Sequence, residues 1–584
     1  MNTGRPPPEA LHCRQSFLDV FLAYLKAEGL RVVFGIPGGL LHPFFEAVEQ
    51  DPSFRLVVTK HEEGAAFMAD GHSRVTRGLS VCAGTAGPGA TNLLTGVSCA
   101  FADGVPMLVL TGQAASHSLG RGAAQEVARE DMDIVAMFKP VTKYSAMITD
   151  PGGLSLHLRR ALRLGLTGRP GPVHLNVPVD LWEKPLDEDW FEPSTYRPET
   201  RVFDRSKVCE AADALLTASR PVIFVGSGVG IAEAESHLLT LAEILPARVC
   251  TTPRAKGLFP EDHPLSLGIF GIAGHKAAKE TLLGNEVDVL LTIGASLNET
   301  STFNWNKDLM PSKSLIQADI DPDRIGRNYP VDVPLIGDAQ TILVETLYHV
   351  HRRIREGWEP CSTWPAAAPL PRGEDRYSDA SCRLLQEGML GPARWRAELM
   401  EALPLGAIIF SDIGGHMLFN LHHLEISAGQ RFILNLGFGS MGHGTVAPIG
   451  AALACPERPV LAIVGDGCFT MNGMELLTAA EYKVPVVWIV ENNQMHGITW
   501  HGSQLVGSRR PMNSVVYRRR IEVASIARAM GLRAWVVERS NEIGSAVEEA
   551  LGTGEPALVE VRVDGSIAPP LGDRAKTIAG FIDE

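Results

Sequence analysis

The sequence predicts an α/β fold of three doubly wound domains, each built on a parallel sheet. Three observations lead there. Short β-branched apolar runs alternate with stretches of helical periodicity, the pattern of parallel strands covered by helices. The runs end in Gly, Asp, Asn or Ser, at the carboxyl ends of strands where open α/β sheets hold their ligands. Two stretches rich in proline and charge, Glu183 to Asp204 and Arg355 to Asp379, interrupt the alternation and read as linkers.

In chain order, "RVVFGIPGG" and "PMLVLTGQ" supply strands of a first domain over residues 10–185. "RPVIFVGSG" and "VDVLLTIGAS" belong to a second over 203–354, and "AIIFSDIGG", "PVLAIVGDG" and "VPVVWIVENN" to a third over 385–567. No residue-level repeat relates the three. The 584 residues and 45% hydrophobic content suffice for several buried cores at about 150 residues per domain.

Composition narrows the function. A net charge of −14 favours neither a nucleic-acid backbone nor an anionic membrane, so small molecules are the expected partners. The nine cysteines (Cys13, Cys82, Cys99, Cys209, Cys250, Cys361, Cys382, Cys455, Cys468) are odd in number and form no C-x-x-C pair. That argues against a disulfide framework or structural zinc and fits a reducing cytoplasm. The opening "MNTGRPPPEALHCRQ" has no apolar core, and no later stretch keeps about 18 apolar residues together. A cytoplasmic protein is expected.

The most informative stretch, "GDGCFTMNGMELLTAAEYKVPVVWIVENN", runs from Gly465 to Asn493. It reads as a strand, a tight turn, a helix and a second strand. A right-handed strand–helix–strand unit puts both strand ends on one edge of the sheet, so Asp466 and Asn493 are expected to meet. A carboxylate, an amide oxygen and a nearby main-chain carbonyl are hard ligands suited to Mg²⁺, which takes further ligands from water and phosphate. Gly465 and Gly467 let main-chain N–H groups approach that phosphate. A bare GDG is most simply a βα turn; the paired asparagines some two dozen residues later set this one apart. The arrangement resembles the diphosphate-anchoring motif of thiamine diphosphate enzymes. The resemblance implies that Asp466, Asn493 and the Met495 carbonyl bind the metal.

In those enzymes C2 of the thiazolium loses a proton to the cofactor's own 4′-imino group, formed when a carboxylic acid engages N1′ of the pyrimidine. "VVTKHEEGAAFMADGHSR" offers such an acid, followed by small and apolar residues that leave little to solvate it, so that burial keeps it protonated. Alignment with the family's H-E-x-G-A stretch makes Glu62 the acid. Glu63 reads as a helix N-terminal charge favoured by the dipole.

The resemblance covers nearly the whole chain, which is similar to the acetolactate synthase branch. The first domain carries "VFGIPGG" (Val33 to Gly39), "GTAGPGATNLLTG" (Gly84 to Gly96) and "QEV" (Gln125 to Val127). The last carries "SDIGGHM" (Ser411 to Met417) and "GFGSMGHG" (Gly437 to Gly444). Carried over by position, Glu62, Gln125 and Gly39 would be catalytic, and Pro37, Pro88 and Asn92 would contact the cofactor. The Gly439 carbonyl would take the 4′-amino group and Met441 would wedge beneath the cofactor. Gly415, His416, Gly465, Gly467, Cys468, His496 and Gly497 would line the diphosphate. The resemblance implies pyrimidine-binding, central and diphosphate-binding domains, thiamine diphosphate and Mg²⁺ as cofactors, and a homodimer or homotetramer with sites at the subunit interface.

Several positions depart from that pattern. "VGSGVG" (Val225 to Gly230) offers a place for FAD, as in acetolactate synthases, but is not a full G-x-G-x-x-G, and Ser296 stands where the family has an arginine contacting FAD. FAD is therefore disfavoured. Ala124-Gln125-Glu126 replaces Phe-Gln-Glu, Val179 replaces a lysine, and Trp500 sits two positions early for the tryptophan that closes the acceptor pocket. The expected function is decarboxylation of a 2-oxo acid, pyruvate in the first instance, with transfer of the two-carbon unit to an acceptor carbonyl. One alternative is cleavage of sulfoacetaldehyde with acetyl transfer to phosphate, which "RIG" and "SLNETST" faintly suggest. Another is a non-catalytic cofactor-binding subunit, against which Glu62 speaks.

Overall fold

The computed structural model describes residues 15–128, 132–188, 190–197, 202–365, 390–505 and 512–571. These fall into two compact units, one drawn from residues 1–69 and 79–199, the other from 70–78 and 200–584.

In the first unit β1 (Gln15–Ser16) precedes six parallel strands: β2 (Val32–Ile36), β3 (Arg55–Val58), β4 (Val81–Gly84), β5 (Met107–Gln113), β6 (Tyr144–Met147) and β7 (Pro172–Pro178). Their order in the sheet is β3-β2-β4-β5-β7-β6, and β8 (Pro185–Leu186) returns to pair antiparallel with β1. β5 and β7 are buried along their whole length, which is why they read as near-continuous apolar runs. On one face Trp182 packs edge-on against Phe17 and Phe21, with ring centres 5.4 and 5.3 Å apart.

The stretch expected to be the first linker is instead strapped to this unit. β8 pairs within it, and Tyr196, buried in the short helix Pro193–Tyr196, donates to Glu28 Oε1 at 2.6 Å. Residues 189 and 198–201 of that stretch lie outside the described residues.

The second unit holds two six-stranded parallel sheets. One contains β9 (Pro221–Val225), β10 (Arg248–Thr251), β11 (Ser266–Ile269), β12 (Val289–Ile293), β13 (Ser314–Asp319) and β14 (Val333–Ile336), in the order β11-β10-β9-β12-β13-β14. The other contains β15 (Ile408–Ser411), β16 (Arg431–Leu434), β17 (Val460–Gly465), β18 (Val486–Asn492), β19 (Arg533–Val537) and β20 (Ala557–Arg562), in the order β16-β15-β17-β18-β20-β19. The second expected linker begins at the last residue of the helix Ala339–Arg355. Its described part is pinned down, with Cys361 N donating to the Leu216 carbonyl (3.0 Å) and Trp364 Nε1 to that of Pro221 (2.9 Å). Residues 366–379 lie outside the described residues.

The first and last sheets follow one winding pattern, a repeat of topology where the residues show none. In both, the strand order turns between the first and third strands, β2/β4 and β15/β17; in the central sheet it turns between β9 and β12. Such switch points open crevices at the carboxyl edge. Among the described residues the seven cysteines are free, and no helix is long and apolar enough to cross a membrane.

Candidate active site

β15 and β17 lie side by side where the last sheet changes direction. Beyond β15 the chain enters the helix Gly415–His423; beyond β17 it passes from Gly465 directly into the helix Asp466–Asn472. The GDG stretch is thus a strand end joined to a helix start, where the sequence reading had a tight turn. Beyond β18 follow Asn493 to His496 and the helix Gly497–Leu505. These ends border an open cleft lined by Gly415, His416, Met441, Gly465, Asp466, Gly467, Cys468, Asn493, Met495, His496 and Gly497. Every cofactor or metal residue expected in this domain from the sequence lines it except Gly439, which sits two residues before Met441 in a left-handed conformation (φ 78°); Trp500 does not line it.

Asp466 is held from both sides. Its Oδ1 accepts from the main-chain N–H of Gly467 (2.8 Å) and its Oδ2 from that of Gln494 (2.7 Å). Burial pushes its carboxyl up to about 7 against these donors, and the nearby Glu491 charge adds to the rise. A divalent cation would reverse that direction. Asn493 Oδ1 accepts from the Met495 N–H at 3.1 Å.

Bare main chain forms the floor. A Cβ on Gly465 would stand 2.8 Å from His416 Nδ1, and one on Gly467 2.9 Å from His496 Nδ1. The Gly467 position also abuts Met441, whose Cε would lie 3.2 Å from such a Cβ. Burial pushes the His416 imidazole down to about 3, so it is neutral, and its buried Nε2 has no hydrogen-bond partner among the described residues. A hard oxygen donor set, a floor without side chains and an orphaned imidazole nitrogen together fit a diphosphate carrying Mg²⁺.

The first unit assembles a second set around its own switch point. Glu62 opens the helix Glu62–Thr76, with Glu63 beside it in the first turn. Glu62 Oε2 accepts from Asn92 Nδ2 at 2.9 Å, and its Oε1 lies 3.4 Å from where a Cβ on Gly89 would sit. Pro88 begins the helical turn Pro88–Thr91 that carries Gly89 and ends at Asn92. Gly38, between Pro37 and Gly39, and Gly89 both press on Thr85, where a Cβ would come within 2.5 and 2.7 Å of its side chain. Gln125, with a left-handed φ of 59°, packs beside Gly87, and Ala124 and Gln125 are both exposed in the single chain. Val179 starts a turn whose Asp180 accepts from Ser116 N (2.7 Å) and Oγ (2.6 Å).

Several residues that build these sites escaped the sequence reading. Buried Gln113 at the end of β5 accepts from Val127 N (3.2 Å) and donates to the Val127 carbonyl (3.1 Å), fixing the loop of Gln125. Asp412 accepts from the N–H groups of Ile413, Gly442 and Thr445, anchoring the loop that follows Met441. Tyr517 lies 3.2 Å from His496 Nε2 through its hydroxyl. Glu491 also lines the cleft; its signal was a charge at the end of an otherwise apolar strand. The central switch point holds a crevice lined by Gly226, Ser227, Ser296 and Arg254, among others. Arg254 is a cation the sequence reading did not weigh.

Residues 15–137 match the family described as thiamine pyrophosphate enzyme, N-terminal TPP binding domain; residues 208–346 match its central domain and 412–561 its C-terminal TPP binding domain. The chain is 34% identical over 568 residues to a probable acetolactate synthase large subunit of Methanocaldococcus jannaschii, spanning 95% of this chain and 93% of the relative. It is 32% identical to an acetolactate synthase of Arthrospira platensis, spanning 92% of each. Against the acetolactate synthase isozyme 3 large subunit of Escherichia coli K12 identity is 30%, spanning 94% of this chain and 95% of the relative.

Proposed function

The chain belongs to the acetolactate synthase large-subunit family of thiamine pyrophosphate enzymes; from that membership we propose that it decarboxylates pyruvate and joins the two-carbon unit to an acceptor carbonyl, and from its departures that this acceptor is bulkier or less charged than a second 2-oxo acid. It is a thiamine diphosphate-dependent enzyme. The observation that carries the reading is the cleft in which Asp466, Asn493, Met495 and the unpartnered His416 Nε2 converge on a floor of glycine.

In this reading the Asp466 and Asn493 side chains and the Met495 carbonyl hold Mg²⁺. Gly415, His416, Gly465, Gly467, Cys468, His496 and Gly497 hold the diphosphate, with His416 donating through Nε2. Met441 supports the cofactor from below and the Gly439 carbonyl accepts from its 4′-amino group. When bound, the cofactor supplies an electron sink for the pair released as the 2-oxo acid loses carbon dioxide. Glu62 presents its Oε1 to the pyrimidine N1′, since Oε2 already accepts from Asn92. Gln125 and Gly39 stand at the reacting centre, where Gln125 donates its amide to a developing oxyanion, and Pro37, Pro88 and Asn92 contact the cofactor. The assembly is a homodimer or homotetramer, which sedimentation would check. The free cysteines suit a cytoplasmic setting, for which fractionation is the test.

The acceptor follows from the departures. A second 2-oxo acid brings a carboxylate that needs a cation or oriented donors, and Val179 supplies neither. Ala124 leaves free the space of an aromatic ring, which typically buries about 150–250 Å². A competition assay with pyruvate as donor, and pyruvate, 2-oxobutyrate and larger aldehydes or ketones as acceptors, is expected to yield mainly the larger products. Acetolactate formed at about 10 s⁻¹, with no larger acceptor competing, would overturn the acceptor assignment. Flavin is not part of the proposal, because Ser296 removes the charged contact that the family places there; Arg254, which lines the same crevice, is the cation a flavin would have to use instead. A stoichiometric flavin absorbance band in protein purified without added FAD would correct that.

A further inference from the structure

The helix Pro392–Ala402 carries an arginine that no solvent reaches. Arg396 Nε donates to Asn420 Oδ1 at 2.6 Å, Nη1 to the Pro392 carbonyl at 2.6 Å, and Nη2 to the His416 carbonyl at 3.1 Å. Nη1 also stands 2.8 Å from Glu491 Oε2, and Trp395 Nε1 donates to that same oxygen at 3.2 Å. The guanidinium lies 4.1 Å from the ring centre of Trp395 and 5.2 Å from that of Phe419. Asn420 passes the connection on, its Nδ2 donating to Ser411 Oγ at 2.9 Å.

One side chain therefore reaches two elements around the cleft directly and, through Asn420, a third. His416 stands on the helix that forms one wall. Glu491 stands at the end of β18, two residues before Asn493 on the other. Ser411 ends β15 between them. Stability alone does not account for such a pair, since a buried ion pair can often be exchanged for well-packed apolar residues without loss. What apolar residues or a lysine cannot reproduce is a rigid fork of donors aimed at several acceptors at once.

We propose that Arg396, through Glu491 and the His416 carbonyl, is a positioning residue for the diphosphate end of the cofactor, fixing the spacing between the His416 wall and the Asn493–Met495 wall. The proposal rests on the cleft being the diphosphate site. Arg396 touches neither cofactor nor metal in this role; it holds the residues that do. Loss of comparable supporting partners around metal sites weakens metal affinity by about 10–100-fold.

The test uses the full chain with two probes, thiamine diphosphate plus Mg²⁺ and inorganic pyrophosphate plus Mg²⁺, read by calorimetry, with thermal unfolding measured in parallel. The double variant Arg396→Met/Glu491→Met leaves no unpaired buried charge. It is expected to unfold close to the wild-type temperature and to bind both probes about 10–100-fold more weakly. The KM for the cofactor rises correspondingly, and kcat at saturating cofactor changes less than KM. Arg396→Lys, which keeps the charge beside Glu491 but not the fork, is expected to fold normally and fall between; it decides the matter if the double variant does not fold. Wild-type affinity for both probes in either folded variant would show that Arg396 only maintains the fold. Asp466→Ala is the separate control. If it keeps stoichiometric cofactor at micromolar concentration, the cleft is not the diphosphate site; if it loses cofactor while the Arg396 variants bind normally, only the positioning role falls.

Discussion

Glu62 and Glu63 share the first turn of one helix, and it is the carboxylate of Glu62 that meets Asn92 and Gly89. Glu62→Gln keeps shape and hydrogen-bonding capacity but cannot hold an acid proton. We expect it to lose roughly 10²–10⁴ in rate, the usual scale for general acid–base loss, while still binding the cofactor. Hydrogen–deuterium exchange at C2 of the bound cofactor is the direct readout, and wild-type exchange in this variant would remove Glu62 from its role. Glu63→Gln is the mild control. Glu62 was legible in the sequence because its stretch matches the family's H-E-x-G-A pattern, which picks it out from the adjacent Glu63. Arg396 was not, because its partners His416, Asn420 and Glu491 come from other elements that no local pattern links to it.

At the scale of elements, the helix His443–Ala454 and the Met441 loop before it are tied to the end of β15 by Asp412. Both Asp412 oxygens lie about 3 Å from the Gly442 N–H, and the carboxylate also accepts from Thr445 N and Oγ1 at 3.0 Å and from Ile413 N at 2.8 Å. Asp412→Ala would strand buried N–H groups at roughly 1–3 kcal/mol each. We expect a clear fall in the urea midpoint together with weaker cofactor binding, as Met441 loses its anchor. A change within about 0.5 kcal/mol, the range of ordinary surface substitutions, would show that the loop is held by other contacts. "SDIGGHM" marked this segment, yet the role of Asp412 within it depends on a partner loop some thirty residues away.

For the molecule as a whole, buried histidines set a pH dependence. His174 in β7 is fully buried, with Nε2 2.7 Å from Thr111 Oγ1, Nδ1 2.8 Å from Ser145 Oγ, and its ring stacked on Phe138 at 4.2 Å. Burial pushes the imidazole down to about 3, and that of His416 likewise. An unfolded histidine titrates near 6.5. Between these values the unfolded chain binds the proton and the folded chain does not, so this contribution is complete above about 6.5 and is lost as pH falls. At about pH 5 His174 alone would lower stability by about 2 kcal/mol. Urea unfolding followed from about pH 7.5 to pH 5 should show this slope, and His174→Gln should flatten it. Parallel slopes in the two proteins would assign the pH dependence to other groups.

Local hydrophobicity and chain-local motifs determined the parallel sheets and the meeting of Asp466 with Asn493. A buried strand is apolar wherever it lies, and one strand–helix–strand unit of fixed hand carries both residues to the same edge. Tertiary structure alone decided that the first and last sheets share one winding, that the cleft opens between β15 and β17, and that Arg396 meets Glu491 across nearly a hundred residues. Those pairings join segments distant in the chain. Their energy comes from burial and fixed donor geometry that exist only once the elements pack, so no local pattern of residues encodes them.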